Sequence, residues 1–168
     1  MRLTLVGVNY KTAPIELREK IAISRDDLAE TTRALAALPG VSECMIVSTC
    51  NRVELIAAID GPETDITQFL HLKFGLDRDL LAPHIYEQRD REAVRHLFRV
   101  AASLDSMVVG EPQILGQVKE AFAVARASGT VAGQLEHLLQ SAFAAAKKVR
   151  SETEIGSNSC LLYTSRCV

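Results

Sequence analysis

The chain has 168 residues, 48% of them hydrophobic and 24% charged, with a formal net charge of -2. Such a chain buries a core in one domain, or in one domain plus the start of another, and is not disordered. No run of 18 apolar residues is present to cross a bilayer. The dedicated nucleic-acid binders, which carry a strong basic excess, are also excluded.

RNA contact would therefore rest on a local patch such as Lys147–Arg150, or on another domain. Four cysteines, Cys44, Cys50, Cys160 and Cys167, show no C-x-x-C spacing or Cys/His cluster, so neither a disulfide framework nor a metal site is expected. The N-terminus lacks a signal-peptide apolar region, and a cytoplasmic protein is expected, with its first strand starting at once.

Residues 2–9 (RLTLVGVN) predict the first strand, and 14–24 (PIELREKIAIS) a connection that is helical in part. Ser24, with Asp27 three residues on, is a variant capping box, and Leu28, Leu35 and Leu38 follow at helical spacing until Pro39-Gly40. Residues 43–48 (ECMIVS) and 53–59 (VELIAAI) read as strands two and three. A second helix is expected over 63–74, with Ile66, Phe69, Leu70 and Phe74 on one face, and a short fourth strand over 84–88 (HIYEQ). The order β-α-β-β-α-β gives an α+β fold of the ferredoxin-like, split β-α-β kind, an antiparallel sheet with both helices on one face.

An additional helical segment follows. Asp90 is the expected N-cap of a helix striped by Val94, Leu97, Phe98 and Ala101, Pro112 suits the first turn of the next, which runs to about Gly129, and a last helix starts near Gly133. Residues 1–89 are thus expected as the ferredoxin-like core and 90–155 as a helical part of the same domain. Residues 156–168 read as the start of a linker and an atypical tail. Cys160–Val168 (CLLYTSRCV) has no helical stripe or caps; it reads as a closing strand or, preferred here, as foreign sequence joined to a truncated gene.

Chemistry concentrates in Ser48–Glu54 (STCNRVE). A Cys50 thiolate would be a strong nucleophile, favoured by Arg52 and by the N–H groups of a turn; a small apolar plug at a strand end is the alternative. Cys44 belongs to the core. Arg52 presents a planar fork that suits a carboxylate, or is a solvated surface residue; Glu54 is positioned to pair with it. His96 lies on the flank of its helix's apolar stripe, as a boundary residue or as an acid or base. His71, His84 and His137 have no better claim. Gly110-Glu111-Pro112 opens a helix whose N–H groups suit an anion or polar ligand, with Ser106, Glu111, Gln113 and Gln117 beside it, or it is an ordinary capped loop. Gly116 costs about 1 kcal/mol relative to Ala, which points to something packed close to the backbone.

Four motifs stand in order: GVNYKTAP (7–14), STCNRVEL (48–55), LDSMVVGEPQILGQVKEAF (104–122) and KKVRSETEIG (147–156). Together they resemble the glutamyl-tRNA reductases, the first enzymes of the plant and bacterial route to tetrapyrroles (porphyrins, by way of 5-aminolevulinate). The resemblance covers nearly all of residues 1–159. It implies that the Cys50 thiolate attacks the aminoacyl ester of glutamyl-tRNA, and that NADPH reduces the resulting thioester to glutamate-1-semialdehyde in the full-length enzyme. Thr49, Cys50, Asn51, Arg52, Ser106, Glu111, Pro112, Gln113 and Gln117 would bind the substrate, with Arg52 as carboxylate clamp, and His96 matches a histidine important for activity.

Tyr10 stands where the family commonly has His and is given no role. With no G-x-G-x-x-G, the NADPH site is expected in a domain beyond this chain, which alone would form the thioester at most. No metal is expected. The implied partners are glutamyl-tRNA, a second subunit held through a C-terminal domain absent here, and the downstream aminomutase. Two alternatives remain, a binding module for glutamyl-tRNA or another ligand without catalysis, and a redox-sensing thiol protein.

Overall fold

In the computed structural model, which describes residues 2–61 and 64–155, strand β3 (Arg52–Ile59) is buried along its whole length. It pairs antiparallel with β2 (Val41–Ser48) on one side and β1 (Arg2–Asn9) on the other, and β1 pairs antiparallel with the short β4 (Tyr86–Arg89). The order β2-β3-β1-β4 is the split β-α-β sheet expected from the sequence.

Alternate side chains of each strand enter two separate cores. On one face Val6, Val8, Cys44, Ile46, Val53, Leu55 and Ala57 pack with Leu17, Ile21, Leu28, Leu35, Ile66, Leu70 and Leu81. These come from α1 (Ile15–Ile21), α2 (Arg25–Ala36), α3 (Ile66–Phe74) and α4 (Arg78–Leu81). On the other face Leu3, Leu5, Met45, Val47 and Ile56 pack with Leu97, Val100, Ile114, Val118, Leu135 and Leu139. Those belong to α5 (Asp90–Ala101), α6 (Gln113–Ala127) and α7 (Gln134–Glu152). The helical segment from residue 90 thus roofs the second face of the sheet. This explains the unbroken apolar run in β3, since a strand covered on both faces has little room for polar alternation.

The helix ends follow local chemistry. Ser24 caps α2, accepting from Asp27 N at 3.1 Å, and its own hydroxyl donates to the Asp27 carboxylate at 2.7 Å. Asp65 caps α3, accepting from the Thr67 and Gln68 amides, and Gly75 ends that helix at φ 60°; residue 63, its expected start, lies outside the described residues, as does the tail after 155.

Asp90 departs from expectation. β4 runs straight into α5, so the extended Arg89 takes the cap position, and Asp90 is the first helical residue, at φ 46°. Its carboxylate turns away and accepts from Leu3 N at 3.0 Å, tying the helix start to β1. Pro112 likewise sits at the cap of α6, one residue before the first turn.

The start of α7 has no side-chain cap from its own flank. Glu43 on β2 supplies one from 90 residues away, accepting from Ala132 N at 3.2 Å, Gly133 N at 2.9 Å and Leu135 N at 3.3 Å. The carboxylate satisfies otherwise orphaned donors and places negative charge at the positive end of the helix. A Cβ at residue 133 would lie 2.9 Å from Glu43 Oε1, so a larger residue there would push the capping carboxylate aside. Among the described residues no helix is long and apolar enough to cross a membrane.

Glu43→Ala is expected to lower the unfolding free energy by about 1–2 kcal/mol, the range for losing a helix cap, in urea denaturation; Glu43→Gln, which keeps an acceptor, should lose less.

Candidate functional site

Thr49–Asn51 joins β2 to β3. Thr49 N donates to Arg52 O at 2.8 Å, and Thr49 Oγ1 accepts from Asn51 N at 3.2 Å and Arg52 N at 3.1 Å. The threonine hydroxyl therefore does the work that Asn or Gly does in most tight hairpins. Cys50 stands exposed in this turn. Arg18 of α1 reaches across to donate to Cys50 O at 2.5 Å and to Asn51 Oδ1 at 3.2 Å, while Tyr10 N donates to Asn51 O at 2.9 Å. The turn is thus anchored from α1 and from the end of β1. Cys44 is the opposite case: it is fully buried, its thiol lies 3.5 Å from Thr32 O, and burial pushes its pKa up to about 12.

Arg52 opens β3 and faces the α5–α7 side at 2% exposure. Its Nη1 donates to Glu54 Oε1 at 2.9 Å and lies 3.5 Å from Asp105 Oδ2; its Nη2 donates to the Asp105 carbonyl. Asp105 also pairs with Lys11 Nζ. Glu54 Oε1 further accepts from the Tyr86 hydroxyl and lies 2.6 Å from His96 Nε2, and the Tyr86 and His96 rings are 5.5 Å apart. Glu54 pairs with Arg52 as expected, two residues along one strand and on the same face. Burial works against the Glu54 charge, yet the bonds from His96 and Tyr86 and the Arg52 charge hold its carboxyl below the usual range. Burial also opposes the Asp105 charge, and Lys11 and Arg52 hold that carboxyl low. Burial, with the Glu54 charge beside it, pushes the Tyr86 phenol far up, so it stays a donor.

The turn faces the start of α6 across a small pocket lined by Thr49, Cys50, Asn51 and Arg52 on one side and by Ser106, Met107, Glu111, Gln113, Ile114 and Gln117 on the other. The connecting loop is held in shape by Ser103 at φ 62° and Gly110 at φ 86°. Gly110 N donates to Ser103 O at 2.9 Å, Ser103 Oγ donates to Glu111 O at 2.8 Å, and Arg150 of α7 donates to the same carbonyl at 2.9 Å. Ser106 is 7% exposed, and its Oγ has no hydrogen-bond partner within the protein. Burial pushes the Glu111 carboxyl up, against the pull of Arg52. No side chain caps α6, so its first N–H groups are left to other partners at the pocket edge.

The structure brings together every sequence-nominated substrate residue except Pro112, which lies at the cap of α6 outside the lining. His96 is also outside the lining and meets Glu54 behind Arg52. Gly116 does not meet the expectation of close packing: nothing lies within 4 Å of a Cβ built there. Sequence reasoning missed Lys11, Arg18, Tyr86, Asp105 and Arg150. All five come from elements distant in sequence from the turn, and the GVNYKTAP, LDSM and KKVRSETEIG motifs flagged the neighbourhoods of Lys11, Asp105 and Arg150 only. Among the described residues no group of His, Cys, Asp or Glu is arranged to hold a metal. No glycine-rich strand–turn–helix that would cradle a dinucleotide is present among them either.

A sequence profile described as "Glutamyl-tRNAGlu reductase, N-terminal domain" matches residues 6–153. The chain belongs to the glutamyl-tRNA reductase family. It is 55% identical over 159 residues to glutamyl-tRNA reductase 2 of Koribacter versatilis, covering 95% of this chain and 36% of that protein. It is 52% identical to the glutamyl-tRNA reductase of Syntrophotalea carbinolica, covering 94% of this chain and again 36% of the relative. The solved glutamyl-tRNA reductase from Methanopyrus kandleri superposes with a TM-score of 0.71 at 34% identity, over 90% of this chain and 35% of that one. The chain therefore spans little more than a third of the length of these relatives, and aligns with the domain that the profile describes as N-terminal.

A Cβ on Gly7 would lie 2.8 Å from Glu54 Cγ and from Tyr86 Cζ and Oη. Gly7→Ala is therefore expected to force these side chains apart and to cost about 1–3 kcal/mol of stability, measured by thermal or urea denaturation. Because the Glu54 and Asp105 carboxyls titrate low in the folded state, their contribution is full above the ordinary carboxylate pKa and is lost as pH falls through their folded values. Stability measured against pH should drop on the acid side, below about pH 4, and Asp105→Asn should flatten that limb.

Proposed function

We propose that this chain is the part of a glutamyl-tRNA reductase that takes the glutamyl group from the tRNA onto Cys50. The observation that carries the reading is the pocket itself. An exposed thiol stands in it beside an arginine, two glutamines, a partly buried carboxyl and a buried serine hydroxyl with no partner in the protein. A pocket built for its own packing would satisfy Ser106; a pocket built for a polar ligand leaves such a group for it.

The chemistry is acyl transfer. The Cys50 thiol gives up its proton and its sulfur attacks the carbonyl carbon of the ester that joins glutamate to the terminal ribose. A C–S bond forms, the ester C–O bond breaks, and the ribose oxygen leaves with a proton. Arg18 on the Cys50 carbonyl fixes where the sulfur stands. The substrate carboxylate falls to the Arg52 edge of the pocket, where Glu54 and Asp105 already fill part of the guanidinium fork and a carboxylate completes it. Thr49, whose hydroxyl is spent on the turn, serves through its shape. Asn51, Ser106, Gln113 and Gln117 offer neutral polar groups, and Glu111 is the negative group suited to the substrate ammonium. Pro112 acts by setting the start of α6.

The NADPH that the resemblance implies finds no cradle in the described residues, so no step of the reduction is assigned to this chain. The dimer and the aminomutase partner belong to the same reading of the whole enzyme.

Mixing the chain with glutamyl-tRNA, without NADPH, and quenching in acid is expected to give a glutamyl mass addition on the peptide holding Cys50. The addition should be released by hydroxylamine and absent in Cys50→Ser. Tight tRNA binding with no adduct would instead support a binding module. Oxidation of Cys50 by dilute peroxide without any acylation would support the redox-sensing reading.

A further inference from the structure

We infer that Glu54 is the positioning residue of this site: its carboxylate, fixed by Tyr86 and His96 above the bare backbone of Gly7, sets the Arg52 guanidinium against the pocket. The inference rests on the reading that the pocket takes a glutamyl ester.

Arg52 carries more rotatable bonds than any other side chain in the pocket wall, so what fixes its orientation decides what it can hold. Its Nη1 is bound by Glu54 Oε1 at 2.9 Å, and Glu54 itself is not part of the pocket lining. The same Oε1 takes the Tyr86 hydroxyl and lies 2.6 Å from His96 Nε2. A carboxylate accepts only, so both partners must be donors, and the hydrogen on His96 Nε2 is committed to Glu54. Tyr86 opens β4 and His96 sits mid-way along α5, neither of which contributes to the pocket. In the sheet register Gly7 lies opposite both Glu54 and Tyr86, and its missing side chain is the space in which they meet.

On the other side of Arg52, Lys11 holds Asp105 in the same way. His96 therefore acts through Glu54 on Arg52, and not on the thiol or the leaving oxygen. Arg52 is presented by a frame of groups that never touch the substrate.

The test is the rate of Cys50 acylation by glutamyl-tRNA, read by acid quench and mass spectrometry over a range of substrate concentrations. His96→Ala should raise the half-maximal concentration by about tenfold or more, as for losing a hydrogen bond to a charged group, while the limiting rate stays within about threefold. His96→Gln, whose amide N–H can donate to Glu54 but cannot shuttle a proton near neutral pH, should restore most of the loss. Tyr86→Phe should shift the same parameter in the same direction. His96 is at a partly exposed position, so its variants keep the test open should Glu54 variants fail to fold. A fall in the limiting rate shared by His96→Ala and His96→Gln would overturn the inference in favour of proton transfer. Unchanged kinetics in all three variants would overturn it equally. Both outcomes leave the functional reading standing, whereas no acylation of the wild-type chain would overturn the two together.

Discussion

A guanidinium that cannot shed its proton is held inside the protein at Arg52, and much of the architecture follows from the need to keep it there. Removing a partner from such a buried charge typically costs about 3–5 kcal/mol, so its counter-charges have to be placed accurately. One is two residues along the same strand, at Glu54, and the other comes from the loop after α5, at Asp105. Each of these needs support in turn. Lys11 supplies it from the end of β1, and Tyr86 and His96 supply it from β4 and α5. The charged cluster thus joins the sheet to its second helical layer at the point where the pocket opens.

This arrangement gives the two helical layers different work. The α1–α4 side is an apolar core, and its contribution to the site is Arg18, which holds the turn carrying Cys50. The α5–α7 side combines an apolar core with the polar cluster and brings the α6 start against the turn. Arg150 at the far end of α7 pins the carbonyl of Glu111. The pocket is therefore a seam between the two layers, which also meet past the β2 edge, where Arg25 of α2 pairs with Glu120 of α6 at 3.1 Å.

Much of this was legible in the sequence. The element order, the Ser24 cap and the stripes of the last three helices are local properties, set by spacing and by the chemistry of single residues. The ordered motifs also gathered Cys50, Arg52, Ser106, Glu111, Gln113 and Gln117 as one group, and the structure brings them into one pocket. What stayed hidden depended on pairing across the fold. Asp105 looks like a loop acid until Arg52 is seen beneath it. Gly7 looks like any strand glycine until the register sets Glu54 and Tyr86 on either side. Glu43 caps a helix 90 residues away, and Asp90, which reads as a cap, ties a helix to β1 instead. His96 was legible as unusual but not in its partner, because nothing in a single helix says which strand it will cover.

The turn at Thr49–Asn51 also bears on how this part of the chain is free to change. Surface loops commonly accept insertions and deletions, and three residues between two strands have the look of such a loop. Here the number of residues is itself fixed. An added residue would either swell the turn and break the bonds to the Thr49 hydroxyl, or pass into β3 and carry Arg52 and Glu54 to the opposite face of the sheet. Substitutions can be tried one at a time along this segment, but its length behaves as an all-or-none character: divergence can repaint the turn and cannot stretch it.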